Sequence, residues 1–182
     1  MNLVPKDSNK LYIVSLKKFY TKNNTLYTYG GFPIYLKMLE ERFDKIILIV
    51  PRSKEPFESM INLDKQIYEA KFLPFYKNEL QLLIKSPIIF IKILIYLLPA
   101  KYVNPRIPDM TGIFGLFISI ILRKKVFVSI QSDILELIKS NNFTSTKGLI
   151  KSGLLAWLKL YLFCEKLLVK NILCYPQGEK LF

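Results

Sequence analysis

The sequence predicts a single α/β domain over residues 1–182, a mostly parallel six-stranded sheet with helices on both faces. Three observations predict it. Short β-branched runs recur along the chain, and those at 10–16 and 44–51 are apolar at nearly every position, as in strands covered on both sides. Segments with helical spacing separate the runs. Glycine and proline punctuate the junctions.

Taken in order, "KLYIVSL" (10–16) is a buried first strand. A polar loop carrying Lys22, Asn23 and Asn24 leads to Gly30 and Gly31. Pro33 then suits the first turn of a helix, where its missing N–H would have had no partner, and Ile34, Leu36, Met38 and Leu39 supply its apolar face. "DKIILIVP" (44–51) is the second strand, and "IYEAKFLPFY" (67–76) a weaker third. A helix rich in Ile and Leu follows over 78–98, with a break or kink expected at Pro87. "KYVNPRIPD" (101–109) is a fourth strand running into a proline loop, and "MTGIFGLFISIIL" (110–122) is helical in spite of two glycines. "KKVFVSIQSD" (124–133) is a fifth strand ending in polar groups; an amphipathic helix over 147–169 and a last strand, "NILCY" (171–175), complete the pattern. The repeated β-α-β order is that of a Rossmann-type sheet with right-handed crossovers.

Composition narrows the function. A chain that is 51% hydrophobic and 14% aromatic is not generally disordered. Twenty-seven Lys and Arg against 14 Asp and Glu leave a charge of +13, which favours an anionic partner: a phosphorylated ligand, a membrane surface or nucleic acid. Histidine is absent, which removes the commonest general base, the usual zinc ligand and every Ser-His or Cys-His nucleophile; no metal site is expected. Cys164 and Cys174, in apolar surroundings, read as thiols of a reducing compartment. The N-terminus is interrupted by Lys6, Asp7 and Lys10 and does not read as a secretory signal. The apolar stretches at 87–99, 112–122 and 149–169 are too short or too charged for the ~20 apolar residues of a membrane span. A cytoplasmic protein, soluble or peripheral to a membrane, is the expectation.

The glycine pair raises the sharpest question. In sheets of this kind ligands bind outside the carboxyl ends of the strands, and backbone N–H groups at a helix N-terminus accept phosphate where glycine lets the anion approach. Gly30 and Gly31 occupy such a position, although a glycine pair also serves simply as a turn or cap. Neither the three-glycine dinucleotide fingerprint nor the Walker phosphate loop is present.

Read together, "GGFPIYLKMLEERFDKIILIVP" (30–51) and "YVNPRIPDMTGIFGLFISIILRKKVFVSIQSD" (102–133) resemble the N-terminal domain of family-4-like glycosyltransferases with the GT-B fold. There a glycine pair opens the first helix, a later strand ends in Arg-x-Pro before a small-residue helix, and the next strand closes with Asp. Arg106, Pro108 and Asp133 stand at those positions, and "KLLVKNILCYPQGEKLF" (166–182) is similar to the family's last N-domain helix, strand and loop. The sequence departs from the family at Gln131-Ser132-Asp133, where many members place histidine. The resemblance implies half of a GT-B enzyme, with the C-terminal nucleotide-sugar-binding domain absent from these 182 residues and supplied by a second domain or subunit. It implies transfer from a nucleotide sugar, with no cofactor, to a glycan or lipid-linked acceptor in cell-surface polysaccharide synthesis, and a chain that is catalytically incomplete alone.

On that reading Gly30 and Gly31 form the donor-phosphate loop, and Arg106, Asp109, Gln131 and Asp133 face the acceptor; no catalytic residue is assigned. The plainer alternatives are a surface salt bridge for Arg106, with Asp109 as its candidate partner, and a helix N-cap for Asp133. Lys92, Lys101, Arg123, Lys124 and Lys125 flank very apolar helices and are candidates to face an anionic membrane on the inner leaflet. The competing class is a basic membrane-surface or nucleic-acid-binding module without enzymatic activity. For nucleic acid only the net charge speaks, since the lysines are scattered and no recognition motif is present.

Overall fold

The computed structural model describes residues 9–130 apart from 24, 64–65 and 108, together with the strand at 174–176. Its elements run β1 (Lys10–Val14), β2 (Tyr20–Lys22), β3 (Thr25–Thr28), α1 (Phe32–Glu40), β4 (Lys45–Pro51), β5 (Ile61–Leu63), β6 (Tyr68–Leu73), α2 (Glu79–Leu97), β7 (Tyr102–Ile107), α3 (Met110–Ile121), β8 (Lys125–Val126), β9 (Val128–Ile130) and β10 (Cys174–Pro176). Pro108, Gln131, Asp133, Cys164 and the helix expected over 147–169 lie outside the described residues.

The main sheet is parallel, in the spatial order β10-β9-β7-β1-β4-β6, with β8 also paired to β7. From β1 the chain steps outward to β4 and β6, then crosses back to β7 on the other side of β1 and continues to β9 and β10. This is the Rossmann order, and its switch point lies between β1 and β7. The sheet is a mostly parallel one flanked by helices, as the sequence predicts.

Alternation along β1 and β4 explains the two covered faces. Leu11, Ile13, Ile46, Leu48 and Val50 pack with Phe32 and Leu36 of α1, while Tyr12, Val14, Ile47 and Ile49 pack with Ile89, Ile93 and Leu97 of α2 and Ile118 of α3. A strand feeding both layers must be apolar at every position, which is why these two runs are so legible.

Three details differ from the sequence reading. The polar loop before the glycines is not structureless: β2 and β3 form a hairpin, and β5 joins β3 in a small antiparallel sheet. Asn23, at φ 48°, makes its turn. On α1 the buried face is Phe32 and Leu36, and Ile34 and Met38 point to solvent. The strand expected over 124–133 is divided into β8 and β9, although both keep one register against β7. Pro105 explains the interruption. It has no N–H to give the carbonyl of Phe127, and the side-chain Nδ2 of Asn104 donates to that carbonyl instead (2.7 Å).

Candidate functional site

The switch point brings together the carboxyl ends of β1 and β7, the turn into α1 and the start of α3. Asp109 is the N-cap of α3: Oδ1 accepts from the Gly112 N–H (2.6 Å) and the Thr111 hydroxyl (2.9 Å), and Oδ2 accepts from the Leu16 N–H (2.9 Å). Burial pushes its carboxyl up, against the pull of these donors and of Arg106. The start of α3 lies directly on the end of β7, since a Cβ at Gly112 would stand 1.8 Å from the Arg106 carbonyl oxygen.

Asn104 and Arg106 share the face of β7 that meets α1. Tyr35 of α1 donates to Asn104 Oδ1 (2.6 Å) and lies 2.7 Å from Ser129 Oγ of β9, while Asn104 Nδ2 also donates to that Oγ (2.9 Å). This buried network fixes the first turn of α1 against β7 and β9. Burial raises the Tyr35 hydroxyl above its ordinary range, so it remains a neutral donor.

Arg106 occupies the layer above. Its guanidinium carbon sits 4.0 Å from the ring centroid of Phe32 and 5.1 Å from that of Tyr35, and the residue is 6% exposed. Its Nε is buried with no hydrogen-bond partner among the described residues. Desolvation lowers the guanidinium from its usual value to about 10, with partial opposition from Tyr35 and Asp109. The expected surface salt bridge is therefore not what the fold provides. Arg106 is a buried cation stacked on aromatic rings, and Asp109, the carboxylate that acts on it, spends its oxygens on Leu16, Thr111 and Gly112.

A second cation stands beside the first. Lys17, three residues past β1, places its Nζ 3.4 Å from the Tyr29 ring centroid, and a Cβ on Gly30 would lie 3.5 Å from that nitrogen. Burial lowers the Lys17 ammonium, and the charge of Arg106 lowers it further. The charge of Arg106 thus acts on Lys17, and an anion placed beside the two would offset it.

The glycines differ in what they do. Gly30 has φ +68°, the left-handed region in which a side chain is strained. Gly31 has an ordinary φ of −75° and serves as N-cap of α1 with no side-chain cap; a Cβ there would meet nothing within 4 Å. The fold does not require glycine at 31. Among the three described helices, α2 is capped by Asn78 and α3 by Asp109, and only α1 begins without a side-chain cap. Its open N-terminus and positive dipole end face the same crevice as Lys17 and Arg106.

The remaining sequence candidates sit elsewhere. Lys92 lies on α2, and Lys101, Lys124 and Lys125 gather at the amino end of β7, where Lys124 Nζ donates to the Leu98 carbonyl (2.7 Å). Arg123 makes the turn after α3 at φ 52°. A cavity of about 290 Å³ at the amino ends of β1, β4 and β6 is lined by Lys10, Lys45, Glu69 and Lys71, with Glu69 bridging Lys45 and Lys71 (2.5 and 2.6 Å). Among the described residues no group of three or more Cys, Asp and Glu is placed to hold a metal ion. Lys17, Phe32 and Tyr35 were missed from sequence. Lys17 follows the first strand closely, and the Phe-x-x-Tyr spacing after the glycines puts both rings on one helical face, but which strand that face meets is a property of the sheet order.

Set against models of protein families, curated proteins and solved structures, the chain has no match in any of the three comparisons.

Proposed function

We propose that the chain is the acceptor-side half of a glycosyltransferase, moving a sugar from a nucleotide sugar to a glycan or lipid-linked acceptor, with the β1/β7 crevice receiving the phosphate of the donor. The observation that carries this reading is Arg106: a residue only 6% exposed, with an unpartnered buried Nε, beside Lys17 and the uncapped start of α1. Keeping a cation so poorly compensated costs stability. An anion that arrives from solution gives that cost a use.

The chemistry follows from where charge develops. In sugar transfer the acceptor oxygen bonds to the anomeric carbon, the bond from that carbon to the diphosphate oxygen breaks, and the acceptor proton leaves. Negative charge grows on the departing diphosphate. A preorganised guanidinium, an ammonium and free helix N–H groups stabilise that charge more than the ground state, which is what accelerates the step. The nucleoside would be held by a second Rossmann-like domain or subunit facing the carboxyl edge of the sheet. No residue is assigned as base, since Asp109 is committed to the backbone and the Thr111 hydroxyl; Gln131 and Asp133, which follow β9 in the sequence, remain the acceptor-facing candidates.

The test is calorimetric titration of the chain with inorganic pyrophosphate and with a nucleoside diphosphate, in wild type and Arg106→Met. Saturable binding in the wild type and its loss in the variant support the reading. Indistinguishable titrations of the two proteins would refute it.

A further inference from the structure

α2 is apolar on two faces, and among the described residues only one of them is packed. Leu82, Ile89, Ile93 and Leu97 are buried in the domain. Leu80, Ile84, Ile88, Ile91, Ile95 and Leu98 are each exposed over more than half of their surface. Their spacing of three and four residues places them in one stripe along the whole helix. Of the apolar window Leu80–Leu97 only 22% is buried, far below what a core helix of a soluble domain shows. An exposed apolar stripe of this length marks an interaction surface.

The charge around the stripe identifies what it meets. Lys77 precedes the helix and Lys101 follows it, both exposed; Lys92 lies at the stripe's edge; Lys124 is held at its end by the bond to the Leu98 carbonyl. From Asn78 to Lys101 the only carboxylate is Glu79, at the first helical position. We propose that the outer face of α2 docks on an anionic lipid bilayer, with the isoleucines among the acyl chains at the headgroup boundary and the lysines at the phosphates. The helix lies in the interface and does not cross it, because its other face is part of the domain core. A second copy of the chain is disfavoured as occupant, since it would bring the same unbalanced cations against themselves. The docking rests on α2 alone, so it stands or falls separately from the ligand of the crevice.

The full chain is sedimented with vesicles of phosphatidylcholine alone or mixed with phosphatidylglycerol, at low and high salt. Three proteins are compared: wild type, the triple variant Ile84→Ser, Ile91→Ser, Ile95→Ser, and the double variant Lys92→Gln, Lys101→Gln. The wild type should pellet with the anionic vesicles and less with neutral ones. Salt should weaken but not abolish the association. The isoleucine variant should bind at least about tenfold more weakly at both salt levels, and the lysine variant roughly fivefold more weakly per charge at low salt only. Folding of each variant is checked by thermal unfolding, which substitutions at exposed positions should leave almost unchanged. No pelleting of the wild type, equal binding by wild type and isoleucine variant, or a lipid-free dimer that the isoleucine variant abolishes would each overturn the proposal.

Discussion

The carboxylate of Asp109, at the start of α3, accepts a hydrogen bond from the backbone N–H of Leu16, just past the end of β1, at 2.9 Å. One side chain thus ties together the two strand ends between which the chain reverses its direction of travel across the sheet. This link fixes the start of α3 against the end of β1 beside the candidate site.

Asp109→Ala should therefore destabilise the domain by about 2–3 kcal/mol, through loss of the α3 cap and of a buried acceptor. Asp109→Asn should cost less, because one oxygen can still accept. Burial raises the carboxyl of Asp109 in the folded state, so the stability tied to its protonated form is fully present at low pH and is lost as pH rises through the raised value. The wild type should accordingly gain on Asp109→Asn as pH falls through the carboxylate range. Denaturant unfolding at several pH values checks both statements.

Gly112→Ala should be the most damaging glycine substitution in the described region. Its Cβ would sit 1.8 Å from the Arg106 carbonyl oxygen, a backbone atom that moves only if β7 and α3 separate. At Gly115 the new Cβ would meet the Val14 side chain at 2.9 Å, which a small shift can relieve. Losses of roughly 3 kcal/mol or more and of about 1–2 kcal/mol are expected in turn. Equal unfolding midpoints for the two variants would contradict the packing described.

How much of this the residues announced depends on how local the cause is. β1 and β4 were plain because a strand covered on both faces is apolar throughout, and α2 and α3 because their length and spacing leave no alternative. The β2–β3 hairpin was written in Tyr20-Thr21-Lys22 and Thr25-Leu26-Tyr27 around two asparagines, a turn signal hidden by the polarity of the segment. The division between β8 and β9 follows from Pro105, which acts on a neighbouring strand more than twenty residues away and so shows only once β7 and β9 are paired. Within the site, Gly30, Gly31 and Arg106 stood out by residue type. Their convergence with Lys17 and Phe32 did not, because it is produced by the sheet order rather than by any local pattern.

Arg106→Met should leave the domain as stable as the wild type or up to about 2 kcal/mol more stable, since a buried, weakly compensated cation is replaced by an apolar side chain of similar length. The lowered guanidinium value gives a sign for pH as well. The cost of the buried charge is present below about pH 10 and is relieved as pH rises through it, so the gap between the proteins should narrow there. Thermal unfolding without anions measures the first effect. Added pyrophosphate should then raise the midpoint of the wild type alone.

The two adjacent glycines should separate cleanly. Gly30→Ala forces a side chain to φ +68° and should cost about 1 kcal/mol of stability. Gly31→Ala has an ordinary φ and open space, and should leave stability within about 0.5 kcal/mol of wild type. If an anion lies over the start of α1, Gly31→Ala should nevertheless weaken pyrophosphate binding about tenfold or more by blocking its approach. Unaltered binding in Gly31→Ala would place the anion elsewhere.

The central claim is that the unpartnered Nε of Arg106 and the first amides of α1 share one anionic ligand. The most direct measurement is a titration of the isotope-labelled chain with inorganic pyrophosphate, following the Arg106 Nε–H and the Gly31 and Phe32 amide resonances by NMR. The account predicts that all three move together along one saturation curve, with the Nε–H shifting downfield as it gains an acceptor. Shifts confined to surface lysines, with the Arg106 Nε–H unmoved at millimolar pyrophosphate, would contradict it.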